Sequence, residues 1–317
     1  MTSTITAPTT MKTIRIHAFG GPDVLRFEDV PRPAPGRDKL LVRVHAAGVN
    51  PVDWKIREGH LGQVTFPASM GSDFSGVVES VGPGQHQFRP GDPVFGVVAE
   101  ESGSYADFAL APDSRVAKKP AALDHTQAAA LPIASLTAWQ ALFDTAGLKA
   151  GQKVLIHAAA GGVGGFAVQF AKWKEAYVIG TASAQNIDFV RELGAHEVID
   201  YRAGRFEDVL RDVDVVLDTM GGDTQERSWQ VLKPGGILVS IVQPPKGTPA
   251  NGVRGVFMVS QPKGEQLAPI ADLVTRGLVK VHVEKVFPLS EARQAQELSQ
   301  SGHVRGKIVL VPSGAGL

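Results

Sequence analysis

The sequence predicts an α/β protein in two parts, a β-rich sheet followed by a doubly wound parallel sheet. Three observations carry this. Up to about Leu123, short β-type runs are separated by Pro and Gly, whereas from Lys153 onward apolar strand runs alternate with helix-period segments. The first of those strands also runs straight into a glycine turn that opens a helix.

In order along the chain, residues 1–10 are Thr-rich with few side chains to bury, which predicts a disordered extension and structure beginning at Met11. Thr13–His17, Leu40–Val44, Gly76–Val81, Val94–Val98 and Tyr105–Leu110 read as short strands of a strongly bent sheet. Ala128–Ala146 reads as a helix broken near Pro132. Strands are then predicted at Lys153–His157, Tyr177–Thr181, Glu197–Asp200, Val213–Asp218 and Gly236–Val242. Helices are expected near Gly162–Lys174, Ala184–Leu193 and Asp223–Leu232. Gly252–Val259 adds a further strand. Gln261–Gly277 and Ser290–Gly302 add helices, and Lys307–Val311 is a last strand that returns to the first sheet.

Composition bounds the function. The 317 residues are 43% hydrophobic and 20% charged, ordinary for a globular protein. Thirty-two basic and 32 acidic side chains balance, so charge points to neither a nucleic-acid nor a membrane-surface partner. There is no cysteine, which excludes disulfides, thiolate metal sites and a cysteine nucleophile. The uncharged stretches His125–Phe143 and Val154–Ala171 read as a core helix and a strand-turn-helix, not as membrane spans. No targeting segment is evident at the N-terminus, and a cytoplasmic protein is expected.

Lys153–Thr181 is the chemically informative stretch. Val154–Ile156 is a buried strand, H-A-A-A-G-G-V-G-G a turn, and Phe166–Ala171 an apolar helix face. Tyr177–Ile179 closes a βαβ unit after about 25 residues. Ala159, Gly161 and Gly164 hold the register of G-x-G-x-x-G with its first glycine replaced. Gly161 and Gly162 let the backbone approach a pyrophosphate, Gly164 lets the helix pack on the sheet, and Val163 sits inside the same turn. The helix N-terminus then faces the phosphates with free N–H groups. An acidic residue about 20 positions on would bond the ribose of NAD, but Thr181-Ala182-Ser183-Ala184 stands there. Hydroxyls of Thr181 and Ser183 suit a 2′-phosphate, with a cation such as Arg202 brought from elsewhere. NADPH is the expected cofactor.

Seven segments carry a family resemblance: A-A-G-V-N-P-V-D at 46–53, M-G-S-D-F-S-G-V-V at 70–78, R-P-G-D-P-V at 89–94, L-P-I-A-S-L-T-A-W at 131–139, H-A-A-A-G-G-V-G at 157–164, L-G-A-H-E-V-I-D-Y at 193–201 and H-V-R-G-K-I-V-L at 303–310. With these the chain resembles the medium-chain dehydrogenase/reductase superfamily, in its zinc-free quinone oxidoreductase (zeta-crystallin-like) branch. The resemblance implies a GroES-like substrate domain from 11–124 and 264–317, and a Rossmann NADP-binding domain from 125–263, with the active site between them. In the zinc branch three ligands hold the metal; by motif register those places are Asn50, Ser72 and Ile133 here. None offers a thiolate or imidazole, so no metal is expected.

Without a Lewis acid, an acceptor that delocalises the incoming charge is favoured, a quinone or an α,β-unsaturated carbonyl. Asn50 is the candidate donor to its carbonyl, and Lys55 a candidate for polarising the oxyanion. Asp53 is read as a cap on the helix after Pro51, and Asp73 as bonding backbone in a tight turn. Thr137 matches a family position at the nicotinamide, and Tyr201 one against the 2′-phosphate. Ile241, Val242, Phe257 and Val259 line the nicotinamide side. The strand 252–259 resembles one that pairs across a two-fold axis in the family, which implies a homodimer. An enoyl-thioester reductase and a non-catalytic NADPH-binding protein, structural or sensory, are the competing readings.

Overall fold

The computed structural model describes residues 9–84, 87–247 and 252–313. A small ribbon comes first, from β1 (Thr10–Ile16) and β2 (Arg26–Pro31). Thr10 pairs with Pro31, so the first strand starts one residue before the expected Met11, and residues 1–8 of the expected extension lie outside the described residues. β3 (Lys39–Val49) is the spine of the larger sheet and buries Leu40, Val42, Val44, Ala47 and Val49. It runs directly into α1 (Pro51–Arg57), where Pro51 occupies the first helical turn, a position that tolerates its missing N–H.

β4 (Ala68–Ser69) completes the ribbon in the order β2-β1-β4. β5 (Asp73–Val81), β6 (Pro93–Val97), β7 (Phe108–Pro112) and β8 (Val116–Lys118) follow. Asp73 therefore opens a strand and is not a turn residue. Helix α2 (His125–Ala129), helix α3 (Pro132–Trp139) and a π-helical segment, Gln140–Thr145, replace the single broken helix that the sequence suggests. Pro132 starts α3, so the break falls just before it, where the ring removes no helical bond.

The second sheet is built from β9 (Lys153–Ile156), α4 (Gly162–Trp173), β10 (Tyr177–Ala182), α5 (Ile187–Glu192), β11 (Glu197–Asp200), α6 (Phe206–Val209), β12 (Val213–Asp218), α7 (Gly222–Ser228), β13 (Leu232–Ser240) and β14 (Arg254–Phe257). Its order is β11-β10-β9-β12-β13-β14 and every pairing is parallel. The chain reverses direction across the sheet between β9 and β12, so the crevice for a ligand opens at their carboxyl ends. β13 starts four residues before the expected Gly236 and stops at Ser240. Gly235, at φ +75°, absorbs a bulge against β12 there. Ile241 and Val242 consequently lie in the bend beyond the strand. Part of the loop 244–254 lies outside the described residues.

α8 (Gly264–Thr275), β15 (Val283–Pro288), α9 (Ala292–Gln300) and β16 (Lys307–Val311) end the chain. β16 lies antiparallel to β3, with Ile308 opposite Val49, in the order β15-β16-β3-β5-β6-β8 and β7 also on β3. β2 and β15 escape sequence patterning because they are edge elements; β15 buries only Phe287. One core runs from Phe95 and Ala117 through Leu131 and Phe170 to Val215 and Ile270, so the sheets share packing. No helix among the described residues is long and apolar enough to cross a membrane.

Candidate active site

The turn after β9 is shaped by contacts a side chain would destroy. A Cβ on Gly164 would lie 2.2 Å from the Ala158 carbonyl oxygen. On Gly161 it would meet only that same oxygen, at 3.3 Å, and otherwise open space. Gly164 thus serves packing, while Gly161 leaves room in front of the helix. Gly161 is the N-cap of the twelve-residue α4, followed by Gly162 and Val163, so free N–H groups of the first turn face that room. The left-handed residue of the turn is Ala158, at φ +46°, one place before the Ala159 that sequence register puts at the first glycine. Ala159 is fully buried and donates its N–H to Thr181 O.

Thr181 holds this turn from below. The Ser228 hydroxyl donates to Thr224 O (2.6 Å), so it accepts from His157 Nε2 (2.9 Å), and His157 Nδ1 is left to accept from Thr181 Oγ1 (3.2 Å). Burial pushes the imidazole down to about 4, which keeps it neutral. Thr181 Oγ1 also accepts from Ala158 N (3.3 Å). Its proton is committed inward, so it secures the turn and has none to donate to a 2′-phosphate, contrary to the sequence expectation. Ser183 differs. It accepts from Asn186 Nδ2 (3.2 Å) and keeps its own proton to donate.

Charge reaches that end of the site from two directions. Arg202 lies over the ring of the exposed Tyr201 (5.6 Å), whose N–H donates to Ala182 O. Arg305, just before β16, donates Nε to Asn186 Oδ1 (2.6 Å) and Nη2 to Gln185 O (2.8 Å). At the other end, Thr137 donates to Ile133 O (2.7 Å), so its hydroxyl offers lone pairs to a ligand. Ile241 and Val242 follow β13, and Phe257 ends β14; Phe257 and Val259 are exposed, at 41% and 69%. Ser183, Tyr201, Arg202, Ile241, Val242 and Val259 follow carboxyl ends of the parallel strands, Phe257 ends β14, Thr137 lies on the adjoining α3, and Arg305 comes in ahead of β16.

Asn50 occupies the junction of the two sheets and is 3% exposed. Its Nδ2 donates to Asp73 Oδ2 (2.9 Å), while its Oδ1 accepts from Lys307 Nζ, which also bonds Val49 O (3.1 Å). Asp73 Oδ1 accepts from Ile133 N (3.0 Å) and so anchors the start of α3. Burial raises Asp73 to about 6, and the adjacent Lys307 is the main influence holding it down. Burial lowers Lys307, with Asp73 and Asp53 opposing. Asp53 accepts from Asn50 N (2.8 Å), the capping contact the sequence suggests, and from the Tyr105 hydroxyl (2.7 Å). Lys55 is half-buried with its ammonium over the Trp54 ring (5.6 Å). The cation that meets Asn50 is Lys307, a contact the sequence does not reveal, as it does not reveal the partnership of Asp73 with Asn50.

Zinc does not fit here. Asn50 spends its amide oxygen on an ammonium, Ile133 offers only backbone, and the buried Lys307 charge would repel a dication. Among the described residues no group of three His, Cys, Asp or Glu side chains is placed to hold a metal ion. A dinucleotide fits better, as the open space before Gly161 and the unspent N–H groups of α4 indicate.

Fold and site together define a dinucleotide-dependent dehydrogenase/reductase with a GroES-like domain. Comparison agrees: residues 36–121 match the alcohol dehydrogenase GroES-like domain family and residues 193–310 the zinc-binding dehydrogenase family. The quinone oxidoreductase of Rattus norvegicus is 37% identical over 322 aligned residues, which cover 95% of this chain and 98% of the relative. The structure of the quinone oxidoreductase from Coxiella burnetii has a TM-score of 0.90 at 38% identity, covering 95% of this chain and 99% of that one. Escherichia coli quinone oxidoreductase complexed with NADPH gives 0.88 at 31% identity, covering 95% and 100%. The chain belongs to the quinone oxidoreductases of the medium-chain dehydrogenase/reductase superfamily.

Proposed function

We propose that this protein is an NADPH-dependent reductase of quinones and α,β-unsaturated carbonyls. The observation that carries the reading is the Asn50 amide at the sheet junction. Its oxygen faces an ammonium and its nitrogen a carboxylate, which leaves one N–H without a partner among the described residues. A single neutral donor suits an acceptor whose carbonyl gathers charge only partly, because the rest spreads through the conjugated system. The names of the relatives point the same way.

When bound, the cofactor supplies hydride. The first turn of α4 takes the pyrophosphate, Ser183, Tyr201, Arg202 and Arg305 surround the 2′-phosphate, and Thr137, Ile241, Val242, Phe257 and Val259 flank the nicotinamide. Asn50 holds the acceptor carbonyl, and water returns the proton to the reduced product. Lys55, its ammonium over the Trp54 ring, acts on the acceptor's remote end. The domains follow the boundaries 11–124 with 264–317, and 125–263. Two copies pair through β14, the edge strand of the parallel sheet, whose outward Phe257 is unprotected in a single chain.

A panel of quinones, enals, enones and enoyl thioesters with NADPH, followed by nicotinamide absorbance, tests this. Quinones and enones are expected to be reduced. Tight NADPH binding with no acceptor consumed, or consumption of enoyl thioesters alone, would overturn the assignment.

A further inference from the structure

We infer that Lys307 is a positioning residue for the reaction: it orients the Asn50 amide so that an N–H, not the carbonyl oxygen, faces the acceptor. The inference rests on the reductase reading above.

An asparagine amide has two faces of similar shape, and only its neighbours decide which is presented. Here two fixed groups decide. Lys307 Nζ can only donate, so it selects Oδ1; Asp73 Oδ2 selects Nδ2 while it is ionised. The second Nδ2 hydrogen is then left over. Lys307 acts twice, because its charge also lies 3.8 Å from Asp73 Oδ2 and is the strongest influence keeping that fully buried carboxyl ionised. With the ammonium gone, Asp73 takes up a proton and can donate to Oδ1 as readily as it accepts from Nδ2. The preference for one amide face disappears.

Lys307 is not itself the proton donor. Its ammonium donates to Val49 O and Asn50 Oδ1, the Asp73 carboxylate stands 3.8 Å away, and the side chain is 3% exposed. Its placement depends on both sheets. β16 carries it alongside β3, and Gly306 N donates to Ala160 O (2.9 Å) in a bridge between Gly161 and Gly306. A Cβ on Gly162 would come within 3.0 Å of Lys307 Cδ, so the glycine also makes room for the lysine. The same turn that is open to a dinucleotide therefore sets the lysine that aims the amide.

The test is a double-mutant cycle of Lys307→Met and Asn50→Ala, with kcat for a quinone, Kd for NADPH, the unfolding midpoint, and the Asn50 side-chain amide signals by ¹⁵N NMR of the cofactor-free protein. Lys307→Met is expected to lower kcat about thirtyfold with Kd for NADPH changed less than about twofold. In the Asn50→Ala background the same change is expected to cost less than about twofold, since the residue it acts through is gone. The two Asn50 amide protons, distinct in the parent, are expected to move together in Lys307→Met. A loss equally large in both backgrounds would overturn the inference, as would a rise in Kd for NADPH at unchanged kcat, which makes Lys307 a cofactor ligand. Absence of turnover by the parent with every acceptor defeats the reductase reading instead, and the NMR comparison then still decides whether Lys307 orients Asn50.

Discussion

The missing Cβ of Gly164 points at the Ala158 carbonyl oxygen, 2.2 Å away, while that of Gly161, three residues earlier, points into room. Two glycines of one turn thus serve different ends, and substitution separates them. Gly161→Ala is expected to leave unfolding stability within about 1 kcal/mol, as for a change at an N-cap with ordinary φ. It should weaken NADPH binding at least about tenfold, or about 1.4 kcal/mol. Gly164→Ala must displace backbone and is expected to cost about 1–3 kcal/mol of stability. Thermal unfolding and cofactor titration of both variants check the contrast.

Arg305 is the cation that tertiary structure adds to the Ser183–Asn186 turn. Arg305→Ala is expected to raise Kd for NADPH about tenfold and leave NADH within about twofold, because only the former carries the phosphate. Equal losses for both cofactors would show that the arginine supports the turn alone.

Burial pushes Asp53 up to about 7 in the folded protein, from an ordinary carboxylate value. The folded chain therefore binds more protons than the unfolded chain between about pH 4 and 7, and this group's contribution to stability falls as pH rises through that window. Asp53→Asn mimics the protonated form and has no such slope. The stability of the variant relative to the parent is expected to grow from pH 4 to 7 and then level off. The comparison is needed because His125 and His157, pushed down to about 4 by burial, slope the opposite way in the parent below about 6.5. Chemical denaturation across this pH range provides the measurement.

At the open edge of the parallel sheet, Phe257→Lys places a charge on β14. Light scattering is expected to show a dimer for the parent and a monomer for the variant at micromolar concentration. A parent that is already monomeric removes the paired-edge reading.

Much of the dinucleotide half can be read along the chain because its determinants are local. A strand, its turn and the following helix are written within Lys153–Trp173, and the alternation to Ser240 repeats the same unit. Boundaries moved where a bulge intervened, as at Gly235, and the edge strands β2 and β15 went unseen because they bury few side chains. Motif register singles out Asn50, but not its partners Asp73 and Lys307.

Taken alone, the amino-acid order determined the glycine turn, the strand–helix alternation and the absence of cysteine ligands, all properties of neighbouring residues. The tertiary structure decided which cation meets Asn50, which proton Thr181 spends, and which arginine approaches Ser183. Lys307 lies 257 positions from Asn50, and only the pairing of β16 with β3 brings them together. A hydrogen bond is fixed by distance and direction in space, and no local pattern encodes a partner delivered from the far end of the chain.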